Sequence, residues 1–402
     1  MNLNAEFFDW IRTHAHDDPA ALRLKMRGKL VGGLDASIAI LQVECRRKYA
    51  AKFAETLASD PEFYFPGGIN AEQATGDRLA AWHASLINEG DRIADLTAGL
   101  GIDIMHLARR AKSALAVERQ LEVADALTFN ATNSGIHNLR VVCSDCRELL
   151  DGMQADEFDC LFIDPARRAE DGSRVFALSD CQPDITDMQA KMLNVSQKYI
   201  AKLSPMLDIS HLLGQLPQAS HIIALGTTTE CKELLAVVNR NHTGDAVVEA
   251  VTILPDNSER RISFNPAEER AADITYGMPQ IGDILFEPWP AVMKAAPVKL
   301  LSSRYGIRKI AANTHLYFIE KDSGQSADGL PGNCLEISAV IPYSSSEIKR
   351  FARRWPIASV STRNFGIGAD ALRRKLGVRD GGPTRVFGVS DAGGGRWLIV
   401  AS

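Results

Sequence analysis

Four short apolar runs in this 402-residue chain each end in an acid, and those acids are the residues best placed to do chemistry. The first run, Arg92-Ile93-Ala94-Asp95-Leu96, enters the stretch ADLTAGLGIDIMH, where Thr97, Gly99 and Gly101 lead to Asp103. The second, SALAV, closes on Glu118-Arg119, and the third, LRVVC, on Ser144-Asp145-Cys146. The fourth, CLFI, runs into Asp164-Pro165-Ala166-Arg167-Arg168. Short apolar runs of this kind suit buried parallel strands. In an open α/β sheet the carboxyl ends of such strands line one crevice, so the four acids are expected around a common ligand. Gly99 and Gly101 supply a tight turn between strand and helix where backbone can come close to that ligand.

The charge of the turn restricts the ligand. A dinucleotide turn wants G-x-G-x-x-G, but the third position here is Ile104. Asp95 and Asp103 repel a diphosphate and suit an ammonium or sulfonium cation. An acid closing the second strand, here Glu118, is placed to accept from ribose hydroxyls. S-adenosyl-L-methionine offers both the cation and the ribose, whereas a nicotinamide-dependent oxidoreductase is disfavoured. A ligand-free glycine turn is the bland reading of the loop by itself.

The order DLTAGLGID, AVER, CSDC and FIDPARR resembles the class I adenosylmethionine-dependent methyltransferases, over about residues 70 to 265. The resemblance implies a Rossmann-like α/β sheet and S-adenosyl-L-methionine as cofactor. It implies that Asp95, Thr97, Gly99, Gly101 and Asp103 surround the methionine moiety. Glu118 would hold the ribose, Asp145 with Cys146 would border the adenine, and Arg119 is a further candidate cofactor contact. Upstream, FPGGINAEQATGD resembles the segment that closes over the methionine end, with Gln73 as its contact.

Methyl transfer is an in-line displacement that needs alignment and a desolvated cleft. Asp164 is expected beside the reacting group, as a proton acceptor or as a hydrogen-bonding orienter. Pro165 would stiffen the turn, and Arg167 with Arg168 would clamp a phosphate, or else pair with Glu170 and Asp171. Exocyclic-amine methyltransferases have Pro and an aromatic residue after the acid and proline; Ala166 and Arg167 stand here, which argues against base N-methylation. DPAR also resembles the pyrimidine C5 RNA methyltransferases, whose chemistry needs a thiolate nucleophile. Cys181, in SDCQPD, is the nearest candidate, although it follows the fourth strand and not the fifth. Cys231, in a helix-like pattern, is expected to be packed.

Composition sets the outer limits. With 46% hydrophobic and 24% charged residues, the chain is an ordinary globular one of two or three domains. No run approaches the roughly 20 apolar residues of a membrane helix, and the N-terminal segment is not a secretory signal. Seven scattered cysteines point to reduced thiols in a cytoplasm; Cys143-x-x-Cys146 has no matching second pair, so no metal is expected. The net charge is −5, but from Ile341 to Ser402 eleven Lys/Arg face four Asp/Glu. Lys349-Arg350, Arg353-Arg354 and Arg373-Arg374-Lys375 are interleaved with Phe351, Trp355, Phe365, Phe387 and Trp397. Such a stretch suits a polyanion; solvated helix faces over core aromatics are the alternative.

Four regions are expected. Residues 1–70 read as a helical accessory domain, with Asp18-Pro19 a helix start and ASIAILQVECRRKYAAKFAETLA a second helix. Residues 71–270 carry the methyltransferase motifs, then the strand HIIALGT, the helix TECKELLAVVNR and an antiparallel pair, VVEAVTIL with RRISFNP. The polar loop AEDGSRVFALSDCQPDITD is of the length that covers active sites. Residues 271–330 read as a small ferredoxin-like segment: strand, the helix AVMKAAPVKLLSSRYG, strand. Beyond the Gly/Ser-rich DSGQSADGLPGN, residues 331–402 read β-α-β-α-β-β and resemble the THUMP-like domain, with STRNFGIGADALRRKLGVRDGG the most telling run. THUMP domains bind structured RNA, so the resemblance implies an RNA partner.

Overall fold

The computed structural model describes residues 3–167 and 178–402. Two compact units emerge: Met1–Ser220 with Ala236–Thr243, and His221–Leu235 with Gly244–Ser402.

The first unit begins with α1 (Ala5–Thr13), α2 (Pro19–Lys25), a hairpin of β1 (Leu30–Val31) and β2 (Leu34–Asp35), and α3 (Ala36–Lys48). The Asp18 carboxylate accepts from the Ala20 and Ala21 N–H groups, with Pro19 at the first turn, as the sequence predicts. The long helix expected beyond residue 36 is two: α3, then α4 (Ala54–Ser59), followed by α5 (Gly68–Gln73) and α6 (Asp77–Ala84). The N-terminal helices do not form a separate body. Gln42 clasps both backbone groups of Phe65, and Asn130 both of Tyr64, so the segment leading out of them is bonded to helices on either side.

Then comes the alternation: β3 (Arg92–Asp95), α7 (Ile102–Ala108), β4 (Ser113–Glu118), α8 (Leu121–Asn133), β5 (Leu139–Cys143), α9 (Cys146–Gly152) and β6 (Phe158–Ile163). The short strands β7 (Ala166–Arg167) and β8 (Cys181–Gln182) pair antiparallel; α10 (Ile185–Val195), β9 (Ser196–Leu203) and α11 (Ile209–Gln215) follow. In this unit the strand order is β9-β6-β3-β4-β5, all parallel. The chain winds outward from β3 to β5 and then returns to β6 on the other side. That reversal lies between β3 and β6, the switch point where open α/β sheets bind ligands.

Strands β10 (Ala219–Thr227) and β11 (Cys231–Asn239) contribute residues to both units, and β12 (Val247–Ile253) and β13 (Glu259–Phe264) belong to the second. The antiparallel β12–β13 pair is as expected. Cys231–Asn239 is a strand and not the predicted helix. Leu234 to Val238 are all buried, so the run is covered on both faces and shows no period of two to betray it. Helix α12 (Pro266–Ala271) precedes a second sheet.

That sheet comprises β14 (Ile284–Pro288), then, after α13 (Pro290–Ala295) and α14 (Val298–Tyr305), β15 (Arg308–Ala311) and β16 (Thr314–Ile319). It continues through β17 (Gly332–Pro342), α15 (Ser345–Arg354), β18 (Ser359–Arg363), α16 (Ala369–Leu376), β19 (Arg385–Ser390) and β20 (Arg396–Ala401). The single helix expected over residues 291–306 is broken where Ala296 turns left-handed ahead of Pro297, which cannot continue a helix. The seven strands run β15-β16-β14-β17-β20-β19-β18. Residues 271–330 and 331–402 therefore share one sheet, and Leu285, Leu316 and Phe318 pack in one cluster with Ile337, Phe387 and Ile399.

Candidate active site

Backbone register brings the acids to the switch point. Asp95 ends β3 opposite Ala116 of β4 and Phe162 of β6, so the next residues of all three strands leave at the same edge. The Leu96 N–H donates to the Phe162 carbonyl, and the Asp164 N–H donates to the Thr97 hydroxyl at 2.7 Å. Thr97 thus ties the glycine turn to the Asp164-Pro165 turn. Glu118 closes β4 and accepts from the Gly99 N–H at 3.0 Å through one carboxylate oxygen and from the Gln120 N–H at 2.8 Å through the other. A carboxylate oxygen has a second lone pair, so both remain able to accept from a ligand hydroxyl.

Asp95 is 2% exposed, and one of its oxygens accepts from the Thr97 N–H at 2.9 Å. Burial raises its pKa well above the ordinary carboxylate value, and the neighbouring Asp103 and Asp164 add to the rise. A buried carboxylate whose second oxygen accepts no other hydrogen bond among the described residues is an acceptor suited to a cationic donor. Together with Glu118 it makes a set of carboxylate acceptors whose chemistry fits the ammonium and ribose hydroxyls of S-adenosyl-L-methionine.

The two glycines do different work. Gly99 has φ +52°, and a Cβ built there meets nothing within 4 Å, so its open side faces space a ligand can use. Gly101 has φ +87°, but a Cβ there would collide with the Leu127 side chain of α8. Its requirement is helix packing.

Asp103 lies in α7, buried, and its carboxylate is spent inside the protein. It accepts from Thr75 Oγ1 and pairs with His83 Nδ1 at 2.7 Å. Burial opposes its ionisation, yet His83, Lys202 and these hydrogen bonds hold its pKa below the ordinary carboxylate range. Asp164 is half-buried, and Lys202 Nζ stands 2.6 Å from its Oδ2. Asp145 caps α9 and forms a two-pronged pair with Arg147, which holds its pKa down to about 2. Cys146 is buried, and desolvation pushes its thiol up to about 11. Gln73 and Arg119 are exposed, and Pro165 is buried. The Arg167 backbone lies in β7; its side chain, Arg168 and residues 169–177 of the polar loop, with Glu170 and Asp171, fall outside the described residues.

Sequence reading missed Thr75, His83 and Lys202. One signal was available: a lysine, Lys202, in the otherwise apolar run Tyr-Ile-Ala-Lys-Leu at the end of a buried strand. His83 and Thr75 carry no pattern that separates them from ordinary helix and loop residues.

In the second unit Phe351, Phe365 and Phe387 are core residues, while Lys349, Arg350, Arg353 and Arg354 of α15 and Arg374 and Lys375 of α16 are exposed. The aromatics interleaved among the cations therefore serve packing. All seven cysteines are free thiols. No helix among the described residues is long and apolar enough to cross a membrane.

This architecture is that of the class I methyltransferases, extended by a ferredoxin-like and THUMP-like C-terminal region. Residues 332–402 match the THUMP domain-like family and residues 285–323 a ferredoxin-like domain. Over its whole length the chain superposes on a Porphyromonas gingivalis protein assigned as a methyltransferase, with TM-score 0.88 and 27% identity, covering 99% of that protein. Among curated proteins it is similar to the 23S rRNA (uracil(1939)-C(5))-methyltransferase RlmD of Pseudomonas putida, 30% identical over 170 residues, 39% of this chain and 36% of that protein. The RlmD of Vibrio campbellii is 26% identical over 167 residues, 38% of this chain and 36% of that protein. The matched stretch thus spans about a third of the length of these curated relatives.

Proposed function

We propose that this protein is an S-adenosyl-L-methionine-dependent methyltransferase that modifies a base in structured RNA. The observation that carries the reading is the meeting of Asp95, Gly99, Glu118 and Asp164 at one sheet edge, at the topological switch between β3 and β6. Asp95 would hold the cation and the Glu118 carboxylate the ribose hydroxyls, with the Thr97–Gly99 backbone against the methionine end. Gly101 shapes this turn, Asp103 braces it from behind, and Gln73 and Arg119 border the opening. Asp145 and Cys146 would flank the adenine. When bound, the cofactor supplies an electrophilic methyl group on sulfur.

Asp164 orients the acceptor or takes its proton, from a turn stiffened by Pro165, and Arg167, three residues on in the sequence, is the candidate for a phosphate. The turn fixes the Asp164 backbone through Thr97, so catalysis is dominated by positioning. RNA as acceptor is supported by the resemblance to RlmD proteins and by the exposed cations on α15 and α16 over the THUMP-like core. The reaction would take place in the cytoplasm.

A second reading, uracil C5 methylation, is favoured by one observation. The β7–β8 ladder sets Cys181 opposite Arg167, close in sequence to Asp164. Against it, Cys181 is buried, and the end of β9 carries Lys202-Leu203-Ser204-Pro205 with no thiol.

The test supplies purified protein with methyl-labelled cofactor and total bacterial RNA, followed by mass-spectrometric analysis of nucleosides. Label in RNA is expected, and the labelled nucleoside distinguishes C5-methyluridine from other products. Label only in protein or small molecules would redirect the acceptor claim. Cofactor binding with no transfer to anything would leave an RNA-binding module. Asp164→Ala is expected to reduce transfer at least a hundredfold while S-adenosylhomocysteine affinity stays within several-fold by calorimetry.

A further inference from the structure

We infer that Lys202 is a positioning residue for the transfer: with Thr75, Asp103 and His83 behind it, it fixes the Asp164 carboxylate at the acceptor end of the site. The inference rests on the methyltransferase reading above. Its geometry does not.

Strands β6 and β9 run parallel with Ile163 opposite Ala201, so the next residues, Asp164 and Lys202, leave the sheet edge side by side. Lys202 is only 9% exposed. Its Nζ lies 2.6 Å from Asp164 Oδ2, donates to Thr75 Oγ1 at 2.8 Å, and stands 3.9 Å from Asp103 Oδ2. Thr75 in turn donates to that same Asp103 oxygen, while His83, fully buried, engages the other. The residues come from four places in the chain: the loop after α5, then α6, α7 and the end of β9.

Burying an ammonium costs several kcal/mol before its partners repay it, so a purely structural sheet edge would be served better by an apolar residue. The ammonium's partners are unequal. Asp103 is buried and already satisfied by Thr75 and His83, whereas the Asp164 side chain is 40% exposed. The chain therefore has a rigid inner end and one partly exposed end, and the latter carries the group assigned to the acceptor. Lys202 restricts the Asp164 rotamer through its contact with Oδ2. An arginine would not substitute, because a planar guanidinium cannot serve three partners grouped around one point charge.

The experiment compares the full chain with Lys202→Met and Lys202→Arg. At saturating cofactor and RNA, Lys202→Met is expected to lower the transfer rate constant thirtyfold or more. KM for RNA, S-adenosylhomocysteine affinity and melting temperature should stay close to wild type. Lys202→Arg should fall with it. In cofactor-free protein labelled with ¹³C at aspartate carboxyls, with Asp164→Asn assigning the resonance, the Asp164 signal should move in Lys202→Met. Full turnover in Lys202→Met, or an unmoved Asp164 signal, overturns the inference. So does a loss of rate that merely tracks lost affinity or lost stability. If the wild type transfers methyl to no acceptor, the parent reading falls and takes this inference with it; if wild type and Lys202→Met transfer equally, only this inference falls.

Discussion

Asp95 illustrates how one buried carboxylate couples stability to pH. Its pKa is raised by burial and by the neighbouring Asp103 and Asp164, so the folded state holds its proton more tightly than the unfolded chain does. Stability from this group is therefore full below the unfolded carboxylate pKa and falls as pH rises toward the folded value. Asp95→Asn removes that dependence while its amide oxygen can still accept from the Thr97 N–H. The expected result is a higher melting temperature than wild type at pH 7, a gap that closes near pH 4, and at least tenfold weaker S-adenosylhomocysteine binding. Melting curves across pH and calorimetry check it; a variant less stable than wild type at pH 7 would refute the assignment.

At the scale of elements, the glycine turn shows how a motif hides two tasks. Gly101→Ala would drive a methyl into Leu127 of α8 and load a left-handed residue, with an expected loss of about 3 kcal/mol in urea denaturation. Gly99→Ala would meet open space and cost about 1–2 kcal/mol, yet it should weaken cofactor binding more. If the two variants ranked the other way in stability, the packing role of Gly101 would be wrong. The strands β3, β4, β5 and β6 were legible because each apolar run stops at an acid or turn residue. The strand Cys231–Asn239 was not, because an acidic-and-basic start followed by Leu-Leu-Ala-Val-Val fits a buried helix as well as a strand buried on both faces.

At the scale of the molecule, the exposed cations of α15 and α16 are the surface on which RNA affinity would depend. Replacing Arg350, Arg353 and Lys375 together by Ala should weaken RNA binding and lower the slope of log affinity against log salt by about two. An unchanged slope would mark these residues as solvated faces. Truncation near residue 330 is the wrong test, because β17 pairs with β14, and the core around Leu285 and Phe318 also contains Ile337 and Phe387. Removing the THUMP-like segment would expose that core and confound binding with unfolding.

Local chemistry fixed the strand-ending acids, the glycine turn, the Asp18-Pro19 helix start and the charge of the C-terminal segment, since each rests on neighbouring residues and short-range rules. Only the tertiary structure brought Thr75, His83, Asp103 and Lys202 behind Asp164, because hydrogen bonds spanning 20 to 127 residues leave no period in the chain. It likewise decided that Gly101 answers to Leu127 and that the interleaved phenylalanines are core. Burial and contact across elements are properties of the folded packing, and spacing along the sequence does not encode them.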